Sequence, residues 1–142
     1  MGKVALDSSV IIGWLIGDSR KLGEDRDVID QILYHGLEIV APKLMLLELI
    51  NILCWRKKVD KLEVMNMIQK VDDLEICWIE SNDLDQTDIV NIALKDKLTP
   101  YDAWFLQVAR QEECQLITHD KALLEADKKC CVTPAVFLKN LS

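Results

Sequence analysis

The chain is 142 residues long, half of them apolar, and carries 17 basic against 24 acidic side chains for a formal net charge of −7. That length buries a real core and suits one domain over residues 1–142, while the acidic balance excludes a protein that grips nucleic acid through its overall charge. A nucleic-acid enzyme remains compatible, because divalent cations held among carboxylates reverse the local potential where phosphate must approach.

The five cysteines, Cys54, Cys77, Cys114, Cys130 and Cys131, include no C-x-x-C pair. An odd, irregularly spaced set fits reduced thiols better than a disulfide framework or a zinc site. The chain meets Asp7 before any apolar region of signal-peptide length. Leu6 stands where an acylation signal needs Ser or Thr, and no later apolar run approaches a membrane span. A cytoplasmic protein without membrane contact is the expectation.

In chain order, Val4-Ala5-Leu6 is a short apolar run ending in Asp7-Ser8-Ser9, after which Val10, Ile11, Trp14 and Leu15 recur at helical spacing. The stretch Gly17 to Asp27 is polar and reads as a loop or a frayed start to a helix carrying Val28, Ile29, Ile32 and Leu33. Gly36 closes that helix, and Leu37 to Val40 predicts a second strand. Pro42 introduces a helix from about Lys43 to Lys58 that is apolar almost all round, a pattern that predicts burial. Its interior polar residues Glu48 and Asn51 are three apart and share a face. A buried ionised acid needs a partner, so Glu48 either pairs with Arg56, Lys57 or Lys58 or serves a metal or functional role.

Lys61 to Val71 predicts a further helix with the stripe Leu62, Met65, Ile68 and Val71, suited to core or dimer contact. Leu74 to Ile79 reads as a strand, and Ser81 or Asn82 as the cap of a helix through Ile89, Ile92 and Ala93. Thr99 and Pro100 open a helix running to Glu113, with Asp102 in its first turn. Gln115 to Thr118 forms a strand ending at His119-Asp120, and Asp120 caps a short helix with Leu123 and Leu124. Cys131-Val132 reads as a last strand before a helix at Pro134. Strands separated by helices throughout predict an α/β domain with a mostly parallel sheet of about four or five strands.

In such sheets the working crevice lies at the carboxyl ends of the strands. Asp7 and Asp120 each follow a strand, Asp102 starts a helix, and Glu48 sits on the helix after the second strand. Each acid has a bland explanation of its own: an Asx turn, a helix cap, a capping box with Thr99, a salt bridge. A single shared site accounts for all of them together, and close carboxylates stay ionised only with cations among them. Oxygen-only ligands select hard ions such as Mg²⁺ or Mn²⁺. Rival chemistries are poorly supplied. His35 and His119 are the two histidines, and there is no H-E-x-x-H, no G-x-S-x-G and no glycine-rich phosphate loop. His119 reads as a surface residue or one behind the ligands, pointing away from Asp120. Ser9 and Thr118 lie near the same edge and suit holding a water or an acid.

Leu6-Asp7-Ser8-Ser9-Val10, Glu48 in its apolar helix, Tyr101-Asp102-Ala103 and Leu116-Ile117-Thr118-His119-Asp120 together resemble the PIN-domain ribonucleases, most closely the small VapC-type toxins. The resemblance runs over essentially the whole chain. It implies a three-layer α/β/α fold and a Mg²⁺- or Mn²⁺-dependent endoribonuclease with one or two ions. Asp7, Glu48, Asp102 and Asp120 are then the catalytic and metal-binding acids, supported by Ser9 and Thr118, with Asn51 added from its place beside Glu48. It also implies an RNA substrate, a homodimer and, in the toxin branch, a small antitoxin occupying the active-site groove. The alternative is a PIN-like module that binds protein or RNA and cuts nothing. The departures are the charged stretch Gly17 to Asp27 and the net acidity. Arg20, Lys21, Arg56, Lys57, Lys58 and Lys61 are the basic candidates for RNA contact.

Overall fold

A computed structural model describes residues 2–17, 23–80 and 86–141. Arg20, Lys21 and the cap at Ser81 or Asn82 therefore lie outside the described residues. Five strands, β1 (Lys3–Leu6), β2 (Glu38–Pro42), β3 (Cys77–Ile79), β4 (Gln115–Ile117) and β5 (Cys131–Val132), form one sheet in the order β3-β2-β1-β4-β5. All of its pairings are parallel. Among the described residues the α-helices are α1 (Ser8–Ile16), α2 (Glu24–Tyr34), α3 (Leu44–Asn51), α4 (Lys61–Asp73), α5 (Gln86–Asp96), α6 (Pro100–Gln111), α7 (Lys121–Ala126) and α8 (Pro134–Leu141). None of them is long and apolar enough to cross a membrane.

The connectivity follows from parallel pairing, since each strand must return by a crossover. The chain steps outward from β1 to β2 to β3, then α5 and α6 carry it back past β2 and β1 to β4. Right-handed crossovers in opposite directions place helices on opposite faces, and α6 accordingly packs on β1, β2 and β4. Direction reverses between β1 and β4, the place where such sheets open a crevice. The core is a continuous apolar layer centred on Leu6, Ile11, Ile29, Leu49, Leu106 and Ile117, each essentially inaccessible to solvent.

The predicted strand at Leu74 is shorter than its apolar pattern suggested. Glu75 has a positive φ of 53° in the turn that ends α4, so pairing starts at Cys77. The helix after β2 also departs from expectation. It is not buried all round: Met45, Leu49 and Leu53 at four-residue spacing form its inner face, whereas Leu47 and Trp55 are 65% and 75% exposed. The three inner side chains each contribute roughly 1.5–3 kcal/mol of burial. A helix lying on one side of a sheet can present only one stripe to it. A π-helical turn, Ile52–Arg56, continues α3. In α4 the inner positions are Val64 and Val71, and Leu62 and Met65 of the expected stripe face outward.

α1 and α2 approach closely where Gly13 faces Asp25. A Cβ at Gly13 would overlap the Asp25 carboxylate and come within 3.2 Å of its Cβ. Asp25 is 4% exposed and bonded to His119, so it has little room to retreat. Ala normally stabilises a helix interior by about 1 kcal/mol relative to Gly. Gly13→Ala is expected to reverse that sign, with overpacking of roughly 1–3 kcal/mol outweighing the gain. A denaturant midpoint below that of the parent at unchanged m-value checks it.

Candidate functional site

Leu6 pairs with Ile117 across β1 and β4, and the Asp7 N–H continues the ladder to the Ile117 carbonyl. The residues that follow, Asp7 and Thr118, thus leave adjacent strands side by side. Asp7 occupies the N-cap position of α1, yet its side chain makes no cap bond. Its Oδ2 instead accepts from the Thr118 hydroxyl at 2.6 Å and the Ser9 hydroxyl at 3.0 Å, while Oδ1 accepts from Ser8 at 3.3 Å. Thr118 is fully buried and Asp7 is 7% exposed, so these hydroxyls hold the carboxylate in one orientation.

Asp102 is placed by the start of α6, where its backbone N–H donates to Thr99 Oγ1 at 3.2 Å and Pro100 opens the helix. Asp120 caps α7 through Oδ1, which accepts from the N–H groups of Ala122 and Leu123. The caps expected for these two acids are therefore real, and both residues still line the crevice. Glu48, half-buried on α3, lines it too. Among the described residues no ion pair joins Glu48 to Arg56, Lys57 or Lys58.

One crevice of about 650 Å³ takes in Asp7, Ser9, Glu48, Asp102 and Asp120, with Arg56 and Lys57 at the same cavity. Asn51 lines an adjoining groove instead, because it sits most of a turn past Glu48 on the exposed side of α3. Lys58 and Lys61 are exposed and line neither space. Of the two places expected for His119, at the surface or behind the ligands, the structure gives the second. Its Nε2 lies 2.8 Å from Asp25 Oδ1, its side chain is 19% exposed, and both residues line the crevice. A carboxylate only accepts, so the imidazole N–H donates.

Burial and neighbouring charge oppose the ionisation of Glu48 and Asp102. Burial, then the charges of Asp7 and Asp102, push the Glu48 carboxyl above its usual range, against a hydrogen bond from Ser8. Burial, then Asp120 and Asp7, push Asp102 up as well, against Thr99. Glu48 and Asp102 thus each feel two other acids of the crevice.

A family model described as the PIN domain matches residues 4–129. This chain belongs to the PIN-domain family. Its members are generally nucleases. Among solved structures it is similar to one described as the crystal structure of PAE2754 from Pyrobaculum aerophilum. The two are 22% identical with a TM-score of 0.71, over 97% of this chain and 88% of the other. That likeness is one of fold. No curated protein matches the chain.

In this PIN domain the donor set for a cation is entirely oxygen, the chemistry of hard divalent ions. Among the described residues no three Asp, Glu, His or Cys side chains already converge on one point. The match to a cation therefore rests on donor type and on carboxylates whose proximity disfavours charge. Asp25 escaped sequence reasoning because it lies in a charged stretch that looked like loop. The signal for it was Gly13, a glycine inside an apolar helix, which marks a close approach of a neighbour.

Because the folded-state pKa values of Glu48 and Asp102 are raised, the native protein binds more protons than the unfolded chain between the ordinary carboxylate range and those raised values. Metal-free stability should therefore fall as pH rises through that window. Glu48→Gln removes one of the repelling charges. It is expected to melt higher than the parent above the window and to show a flatter pH dependence, read from thermal melts in chelator.

Proposed function

We propose that this PIN domain is a metal-dependent endoribonuclease that hydrolyses RNA phosphodiester bonds, and that it is the toxin of a toxin–antitoxin pair. The observation that supports this reading is the gathering of Asp7, Glu48, Asp102 and Asp120 around one crevice, with Glu48 and Asp102 electrostatically coupled to the rest. These four residues would hold one or two Mg²⁺ or Mn²⁺ ions. Such ions, when bound, neutralise the phosphate and supply hydroxide near neutral pH.

The chain's own groups have separate tasks. Ser9 and Thr118 keep the Asp7 carboxylate turned one way, so an incoming ligand meets an acceptor already in place. The cap at Thr99 fixes Asp102 at the rigid start of a helix rather than on a loop. Arg56 and Lys57 line the same space as the acids and would draw the RNA backbone toward them despite the net charge of the chain. His119 lines the crevice with its imidazole engaged by Asp25. A homodimer through α4 is supported by the outward Leu62 and Met65, 69% and 59% exposed. A small antitoxin would occupy the acidic crevice, and free thiols at all five cysteines suit a cytoplasmic protein.

Asp7→Asn and Asp102→Asn should each lower RNA cleavage by roughly a hundredfold or more while the fold is retained. Cleavage should need Mn²⁺ or Mg²⁺ and stop with chelator. Equal cleavage by parent and variants would remove the hydrolytic reading. A folded parent that binds RNA yet cuts none under any of these conditions would leave the binding module in its place.

A further inference from the structure

Beside the acidic crevice lies a second groove of about 460 Å³ that shares Glu48, Ile52, Arg56 and Asp102 with it. The two spaces are therefore one track with a change of chemistry along it. The crevice is carboxylate-rich, whereas the groove is walled by Leu44 and Leu47 of α3 and by the phenol of Tyr101 on α6. Leu47 and Tyr101 are 65% and 57% exposed, although they come from two elements that meet at the site. Asn51 adds an exposed amide at the same groove.

Resting on the hydrolytic reading above, we propose that this groove is a base-binding subsite for single-stranded RNA, in which an unpaired base stacks on Tyr101 against Leu47. Tyr101 immediately precedes Asp102 in the first turn of α6, so a base held there belongs to a nucleotide next to the phosphate at the acids. Stacking on an aromatic face accepts any base. The Asn51 amide offers both a donor and an acceptor to a base edge and supplies the preference. Arg56, common to both spaces, is placed to meet the linking phosphate. A duplex keeps its bases stacked inside and cannot deliver one to the groove. An apolar protein segment fits less well, because it would cover Glu48 and Asp102 without pairing them.

The test uses the Asp7→Asn protein, which keeps the groove intact because Asp7 lines only the acidic crevice, and labelled oligoribonucleotides read by fluorescence anisotropy. Tyr101→Ala in that background should weaken binding of a single-stranded oligoribonucleotide on the order of tenfold, the scale of one lost stacked base. Tyr101→Phe and Tyr101→Trp should retain the affinity, Leu47→Ala should weaken it less than Tyr101→Ala, and duplex RNA should be indifferent to all of them. Both side chains are exposed, so circular dichroism should show the fold unchanged. Unaltered single-strand affinity in Tyr101→Ala, or an equal loss for duplex and single strand, would overturn the subsite while cleavage by the parent protein leaves the hydrolytic reading standing. Loss of self-association with RNA affinity intact would also overturn it, assigning the groove to a protein contact. A parent protein that neither binds nor cuts RNA would overturn both.

Discussion

The parallel register of β1 with β4 carries two parts of the chain, 111 residues apart, to one point, where the Thr118 hydroxyl meets Asp7 at 2.6 Å. A slip of one residue would turn each side chain to the other face of the sheet. Both faces of the sheet are covered, so Leu6 and Ile117 would meet different neighbours rather than solvent, but Asp7 would leave the Thr118 hydroxyl. The packing of the apolar strand residues therefore sets the geometry of the polar residues that follow them. The reversal of chain direction that falls between the paired strands β1 and β4 opens the space into which α3 and α6 deliver Glu48 and Asp102.

That arrangement works against stability. Partial burial and neighbouring carboxylates raise the pKa of Glu48 and of Asp102, and the folded chain bears the cost of ionising them. The surrounding structure offsets it locally. Hydroxyls from Ser8, Ser9 and Thr118 satisfy Asp7, and the helix starts at Thr99 and Asp120 satisfy the backbone around the other acids. Capping leaves these acids acceptor sites to spare, because a carboxylate has more of them than one cap uses.

The Asp25–His119 pair adds a second layer behind the acids. It ties the first turn of α2 to the turn that carries Asp120, and the missing side chain at Gly13 makes room for it. The His119 backbone N–H also donates toward Ser9 Oγ at 3.4 Å, so the turn is linked to Asp7 through a shared hydroxyl. The inner residues Met45 and Leu49 of α3 and Leu53 of the π-helical turn hold Glu48 from the other side, and the same turn brings Arg56 to the rim.

Local chemistry in the sequence by itself determined the order of strands and helices, the start of α6 at Thr99-Pro100, the places of Asp7, Asp102 and Asp120 at strand ends and helix starts, and that of Glu48 within the apolar helix after β2. Apolar periodicity and capping residues act over a few neighbours, and a reader of the chain can see them. Helix ends were less legible where Glu75, Lys97 and Glu113 take positive φ without a glycine to announce it. Which apolar residues are buried was decided by tertiary structure alone. Leu47, Trp55 and Leu62 look like core in the sequence and face outward, because a sheet covers only one stripe of each helix. Asp25 became part of the crevice, and Asn51 was moved to the groove beside it, for the same reason. Contact between segments distant in the chain depends on strand register and helix rotation, which no short stretch of residues encodes.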